Sequence, residues 1–217
     1  MARLAVFDCD GTLVDSQAGI CNAMDEAFMA AGLARPARQR VRRIVGLSLP
    51  QAIAGLLPKG AEDRSEAVVE AYRSAYRTAR ETGQLAEPLY EGIADVLRAL
   101  HAQGWMLGVA TGKSDRGLSH CLATHGLSKL FVTLQTADRH PSKPHPAMLQ
   151  AALTEAGASP SDAVMIGDTG YDMAMAVSAG VRAIGVDWGY HAPTELREAG
   201  AEVVVGSSAQ LLKELLK

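Results

Sequence analysis

The chain has 217 residues, 48% hydrophobic and 21% charged, enough to bury the core of one α/β domain plus a smaller insertion and inconsistent with disorder. A net charge of −3 with scattered Lys and Arg argues against a nucleic-acid surface, and three dispersed cysteines, Cys9, Cys21 and Cys121, against a disulfide framework or zinc knuckle. No apolar run approaches the ~20 residues of a membrane span, and the N-terminus does not read as a signal peptide. The expectation is a cytoplasmic protein, monomer or homodimer, with no membrane or nucleic-acid partner.

The first predicted element is the apolar run Leu4-Ala5-Val6-Phe7, which reads as a buried strand and runs directly into Asp8-Cys9-Asp10-Gly11-Thr12. With side chains alternating along an extended segment, Asp8 and Asp10 are expected to project to the same side while Cys9 turns away to pack. Two carboxylates ~5 Å apart repel by roughly 3 kcal/mol at an effective dielectric near 20. Such a pair either holds a divalent cation or divides the work of nucleophile and proton donor.

From residue 16 to about residue 87 only helical patterns follow, at 18–31, 37–45, 50–57 and 63–83. A strand-to-strand crossover needs only about a dozen residues, so this stretch is expected to be an inserted helical subdomain. Its hinges would be residues 14–17 and 85–92. Beyond it strand patterns return at 106–110, 131–134, 163–166, 183–186 and 202–205, separated by helical stretches. That alternation predicts an α/β, Rossmann-like parallel sheet with helices on both faces. Residues 1–15 and 88–217 form the expected core, and 16–87 the expected all-helical cap.

Three later segments repeat the design of the first. Leu107-Gly108-Val109-Ala110 ends in Thr111-Gly112-Lys113-Ser114, where a hydroxyl and a free amide precede a helix and offer donors to an anion. Pro141-Ser142-Lys143-Pro144-His145-Pro146 frames one lysine with stiff backbone, and Pro144 keeps Lys143 out of a helix. Val164-Met165-Ile166-Gly167 ends in Asp168, with Asp172 one helical turn later. In an open parallel sheet, ligands bind beyond the carboxyl ends of the strands. All these groups would meet there, and their acid excess over Lys143 calls for a hard cation, Mg²⁺ above all.

The string Phe7-Asp8-Cys9-Asp10-Gly11-Thr12-Leu13-Val14-Asp15-Ser16, then Thr111, Lys143, and Gly167-Asp168 with Asp172, resembles the four motifs of the haloacid dehalogenase superfamily. Within it the chain looks most like the phosphoglycolate phosphatase group, partly through Pro88-Leu89-Tyr90-Glu91-Gly92. The resemblance implies an aspartyl-phosphate formed on Asp8, acid–base work by Asp10, and phosphoryl oxygens held by Lys143, Thr111 and Gly112. It also implies Mg²⁺ at Asp8, Asp168 and the Asp10 carbonyl, with Asp172 in the metal shell or orienting. Gly112 stands where Asn is frequent in that group. The acid at position 10 separates this chain from the resembled dehalogenases, which lack one, and from the resembled ion-pumping ATPases, which carry Thr.

The implied activity is a Mg²⁺-dependent phosphatase of small phosphorylated metabolites such as 2-phosphoglycolate. A sugar phosphomutase, a pyrophosphatase and a non-catalytic phosphate sensor are the alternatives. On the cap, Arg42, Arg43 and the Gly46-Leu47-Ser48 turn are the features placed to meet substrate, Arg42 as the clamp for a second anion. Cys121 and His125 read as ordinary helix residues. Trp105 and Trp188 read as packing, with Trp188-Gly189-Tyr190 near the entrance.

Overall fold

The computed structural model describes residues 3–217. Six parallel strands make one sheet: β1 (Leu4–Phe7), β2 (Met106–Thr111), β3 (Phe131–Thr136), β4 (Ala163–Gly167), β5 (Arg182–Val186) and β6 (Val203–Val205), in the order β3-β2-β1-β4-β5-β6. The chain therefore builds outward from β1 in one direction, then returns to its other side with β4. The switch point lies between β1 and β4, where Phe7 pairs with Ile166. Both strands carry acids just past this register, so the topology alone brings residues distant in sequence to one crevice.

β1 is buried along its whole length and alternates its partners. Ala5 and Phe7 join the cluster made by α5 (Ile93–Ala102), α6 (Asp115–Thr124) and α10 (Ser208–Leu215). Leu4 and Val6 join the opposite cluster, under α7 (Ala147–Ala156), α8 (Gly170–Ala179) and α9 (Pro193–Glu198). Leu4, Val6 and Phe7 each contribute about 1.5–3 kcal/mol by leaving water, and a one-residue slip of register would exchange the two sets. Among the described residues, no helix is long and apolar enough to cross a membrane.

The segment between β1 and α5 contains only helices: α1 (Gln17–Ala30), α2 (Arg38–Ile44), α3 (Leu49–Leu56) and α4 (Ser65–Glu81), with a 3₁₀ turn ahead of α4. They share an apolar cluster of their own, in which Phe28, Val41, Ile53 and Val68 are almost fully buried. The two crossings into this insertion lie side by side. Val14 forms an antiparallel bridge with Leu89, Asp15 N donates to Pro88 O at 2.8 Å, and Tyr90 N donates to Leu13 O at 3.0 Å.

The insertion is seated on the sheet through its Gly46-Leu47-Ser48 turn. Ser48 N donates to Ser142 Oγ at 2.7 Å, and the Leu47 and Gly46 carbonyls lie over Gly112 so closely that a Cβ there would stand 2.5 and 2.9 Å from them. Both obstacles are backbone, so neither can swing aside. Gly112→Ala should therefore unseat the insertion while leaving the sheet intact. The measurable outcome is faster proteolysis within residues 85–92 and a larger radius of gyration in X-ray scattering, at nearly unchanged helix content.

Candidate active site

The strand ends deliver four fully buried charged residues to one point. Asp8 follows β1, Asp168 follows β4, Asp172 lies in the first turn of α8, and Lys143 sits in the proline-framed loop before α7; all four are 0% exposed. Lys143 Nζ lies 2.9 Å from Asp8 Oδ1 and donates to Asp172 Oδ1 at 2.6 Å. Carboxylate oxygens of Asp8, Asp168 and Asp172 all fall within 4.8 Å of one another.

Each acid is oriented by fixed donors. Asp168 accepts from Thr12 Oγ1 at 2.7 Å and from Tyr190 N at 2.9 Å. Asp172 accepts from Thr169 N and Thr169 Oγ1 at 3.0 and 2.7 Å, closing a capping box that starts α8. Asp8 Oδ1 accepts from Cys9 N at 2.7 Å, but Asp8 Oδ2 is buried without any hydrogen-bond partner. Gly11 lets the chain pass against this cluster. Its φ is +86°, and a Cβ there would sit 2.2 Å from Asp168 Oδ2.

Three carboxylates facing one ammonium leave the cluster short of positive charge. Burial, opposed by Lys143 and reinforced by Asp172 and Asp10, pushes the Asp8 carboxyl up to about 7. Burial likewise raises Asp168, with Asp8 and Asp172 adding to the effect. Burial works against the charge on Lys143, yet Asp172 and Asp8 outweigh it and hold that pKa above the ordinary lysine range. An orphaned buried oxygen inside an all-oxygen set of three acids is a fitting donor set for a hard divalent cation.

Cys9 continues the inward face of Ala5 and Phe7, and Asp10 is near enough to Asp8 to act on its charge, but its carboxylate is not one of the three gathered within 4.8 Å. The third carboxylate of the cluster is Asp172. Asp10 Oδ1 instead accepts from the Ser16 hydroxyl and lies 2.9 Å from Lys113 Nζ. Thr111 is buried and its Oγ1 accepts from Lys113 N at 3.2 Å. Cys9 packs in the core as expected, its Sγ 3.9 Å from Cys121 Sγ.

A cavity of about 760 Å³ opens from Asp10, Gly112, Lys113 and Ser142 on the sheet side to Leu47, Tyr72, Tyr76, Arg77 and Arg80 on the insertion. Arg42 does not line it. Its Nη2 donates to Gly189 O at 3.4 Å, backing the loop that wraps Asp168. Three of the arginines that line the cavity, Arg73, Arg77 and Arg80, come from α4, where Arg80 Nε is buried without a partner, and Arg116 comes from α6. The charged positions of α4 are legible in the sequence, but not which face the cavity occupies. Trp188-Gly189-Tyr190 backs Asp168 and does not line the cavity: Tyr190 N donates to that acid, Trp188 Nε1 donates to Thr12 O at 3.2 Å, and the Tyr190 hydroxyl lies 3.2 Å from Ser16 Oγ.

The chain is similar to known proteins. The chain matches the family model described as haloacid dehalogenase-like hydrolase over residues 5–186. It is 35% identical to the probable phosphatase IndB of Dickeya dadantii over 98% of this chain and 93% of that protein. It is 29% identical to a phosphoglycolate phosphatase of Vibrio vulnificus over 99% of this chain and 96% of that one. Among solved structures, a predicted phosphatase from Clostridium acetobutylicum superposes with a TM-score of 0.87 at 26% identity, covering 100% of this chain and 99% of the other. With the fold, the acid cluster and a family match across most of its length in agreement, the chain belongs to the haloacid dehalogenase-like hydrolases.

Proposed function

We propose that this protein is a Mg²⁺-dependent phosphatase of small phosphomonoesters, working through an aspartyl-phosphate on Asp8. The observation that carries the reading is Asp8 itself, with one oxygen tied to Lys143 and the backbone and the other buried and unpartnered. A free carboxylate oxygen in a dry site is a nucleophile held ready, and a covalent intermediate divides one difficult displacement into two easier ones. The relatives named as phosphatases, and the phosphoglycolate phosphatase among them, support the same reaction class.

In this reading Asp8 Oδ2 forms the new P–O bond while the ester P–O bond breaks, and Asp10 delivers its proton to the departing alcohol oxygen. Asp10 then takes a proton from the water that hydrolyses the acyl phosphate, restoring Asp8. Lys143, Thr111 and the Gly112 amide hold the phosphoryl oxygens and offset developing charge. Asp8, Asp168 and the Asp10 carbonyl are the residues that would hold Mg²⁺, and Asp172 orients Lys143 from the metal shell. When bound, the ion supplies the positive charge that three acids and one lysine lack.

Residues 16–87 serve as the cap over this site, with the hinges at 14–17 and 85–92. The cavity beneath it has room for more than a two-carbon acid, and Arg77 and Arg80 favour substrates with a second anionic group, 2-phosphoglycolate being the smallest of that kind.

Asp8→Asn should lower phosphate release from 2-phosphoglycolate and from an aryl phosphate by on the order of 10³-fold or more. Retained turnover in that variant overturns the mechanism, and interconversion of sugar phosphates without phosphate release would identify a mutase instead.

The charge balance also sets a pH dependence. Because the metal-free fold raises Asp8 to about 7, this group stabilises the protein at low pH and loses that contribution as pH rises through about 7. Mg²⁺ competes with those protons, so its stabilising effect grows over the same interval. The increase in melting temperature on adding Mg²⁺ should be larger near about pH 8 than near about pH 5.5. An equal gain at both values would contradict a cation at these acids.

A further inference from the structure

Lys113 is the other buried lysine near the cavity, and nothing in the phosphoryl chemistry above uses it. Its side chain is 7% exposed, and its Nζ lies 2.9 Å from Asp10 Oδ1 and 2.6 Å from Glu87 Oε1. Glu87, also 7% exposed at the side chain, accepts from the Tyr76 hydroxyl at 2.7 Å, and its carbonyl lies 2.8 Å from His125 Nε2. Lys113 Nζ also stands 5.6 Å from the centroid of the Tyr76 ring. Burial opposes the charge on Lys113, but Asp10 foremost and its other neighbours keep its pKa above the ordinary range. Burial raises Glu87, and Lys113 more than reverses that. Both partners are ionised.

A buried ion pair is poor evidence for stability, because apolar residues of similar volume commonly do as well. This one also draws its members from the sheet side, the crossings and the insertion. Lys113 comes from the end of β2, Glu87 from the second crossing, Tyr76 from α4, and Asp10 Oδ1 is further held by Ser16 in the first crossing. Two donors on one oxygen leave a carboxylate little freedom to rotate.

We propose that Lys113, held by Glu87 and Tyr76, is the positioning residue for Asp10, fixing one carboxylate oxygen so that the other is aimed at the leaving-group oxygen while α4 is seated. With Glu87 at 2.6 Å the ammonium stays paired throughout the cycle, so the anchor does not depend on Asp10 remaining charged. This rests on the reading of Asp10 as proton donor, and the test separates the two.

Proton donation matters for a poor leaving group and little for a good one, and kcat/KM reports events up to departure of the alcohol. The comparison is therefore between 2-phosphoglycolate or glycerol phosphate, whose alcohols need a proton, and p-nitrophenyl phosphate, whose phenolate does not. Lys113→Met should lower kcat/KM by roughly 30- to 300-fold on the alkyl esters and by under about 5-fold on the aryl ester. Glu87→Gln should show the same discrimination at a smaller size, and Lys113→Arg should recover part of the loss. Should Lys113→Met fail to fold, Glu87→Gln, which keeps the shape of the site, carries the test. Asp10→Asn is the reference. If it discriminates between the esters while Lys113→Met and Glu87→Gln lower both equally or neither, positioning by Lys113 is overturned. If Asp10→Asn does not discriminate, it is the proton-donor role that fails.

Discussion

One ammonium group shared by two carboxylates organises this molecule. Lys143 has no contact with water, and neither have the Asp8 and Asp172 oxygens that it touches. An isolated charge at such depth would be neutralised rather than tolerated, and removing one member of a buried ion pair leaves its partner exposed to the full desolvation penalty. The three charges therefore stand or fall together. Asp168 adds a third carboxylate with no ammonium of its own, satisfied only by a hydroxyl and a backbone amide. Burial, reinforced by the neighbouring acids, raises the Asp8 and Asp168 carboxyls, and the shortage of positive charge in the cluster is one that a divalent ion would fill.

The sheet was legible in the sequence because its strands are buried on both faces. β1, β4 and β5 are short apolar runs bounded by polar residues, and such runs have few other places to go. β3 extends two residues further than its apolar pattern, since Gln135 and Thr136 are buried polar groups: the Gln135 amide donates to Thr133 Oγ1, and Thr136 Oγ1 donates to Asp115 Oδ1. Side-chain hydrogen bonds of that kind leave no apolar periodicity. Asp8, Lys143 and Asp168 stood out because an acid at the end of an apolar strand, or a lysine framed by prolines, is costly unless used.

Other parts of the site were not legible. Alternation accounts for Cys9 packing with Ala5 and Phe7, but it says nothing of Ser16 and Lys113, the partners that hold the Asp10 carboxylate. Lys113 and Glu87 are 26 residues apart and belong to types that normally lie at the surface; their pairing exists only once the insertion is seated. The arginines of α4 were obscured for a related reason. A helix with a charged face presents the same pattern whether that face borders bulk water or a cavity, and Arg42, conspicuous in the sequence, backs the Asp168 loop instead.

The pairing of Val14 with Leu89, flanked by the Asp15 to Pro88 and Tyr90 to Leu13 hydrogen bonds, makes the entry and exit of the helical insertion a single doorway. A body attached at one narrow neck has one easy axis of rotation, so it swings without shearing across the sheet. Its ends also stay a fixed short distance apart whatever lies between them, and lengthening a closed loop costs only about 0.6 kcal/mol per doubling. Such a neck lets the helices be enlarged, trimmed or replaced as a cassette while the strands that gather the acids remain untouched. The helices are thereby free to diversify independently of the sheet.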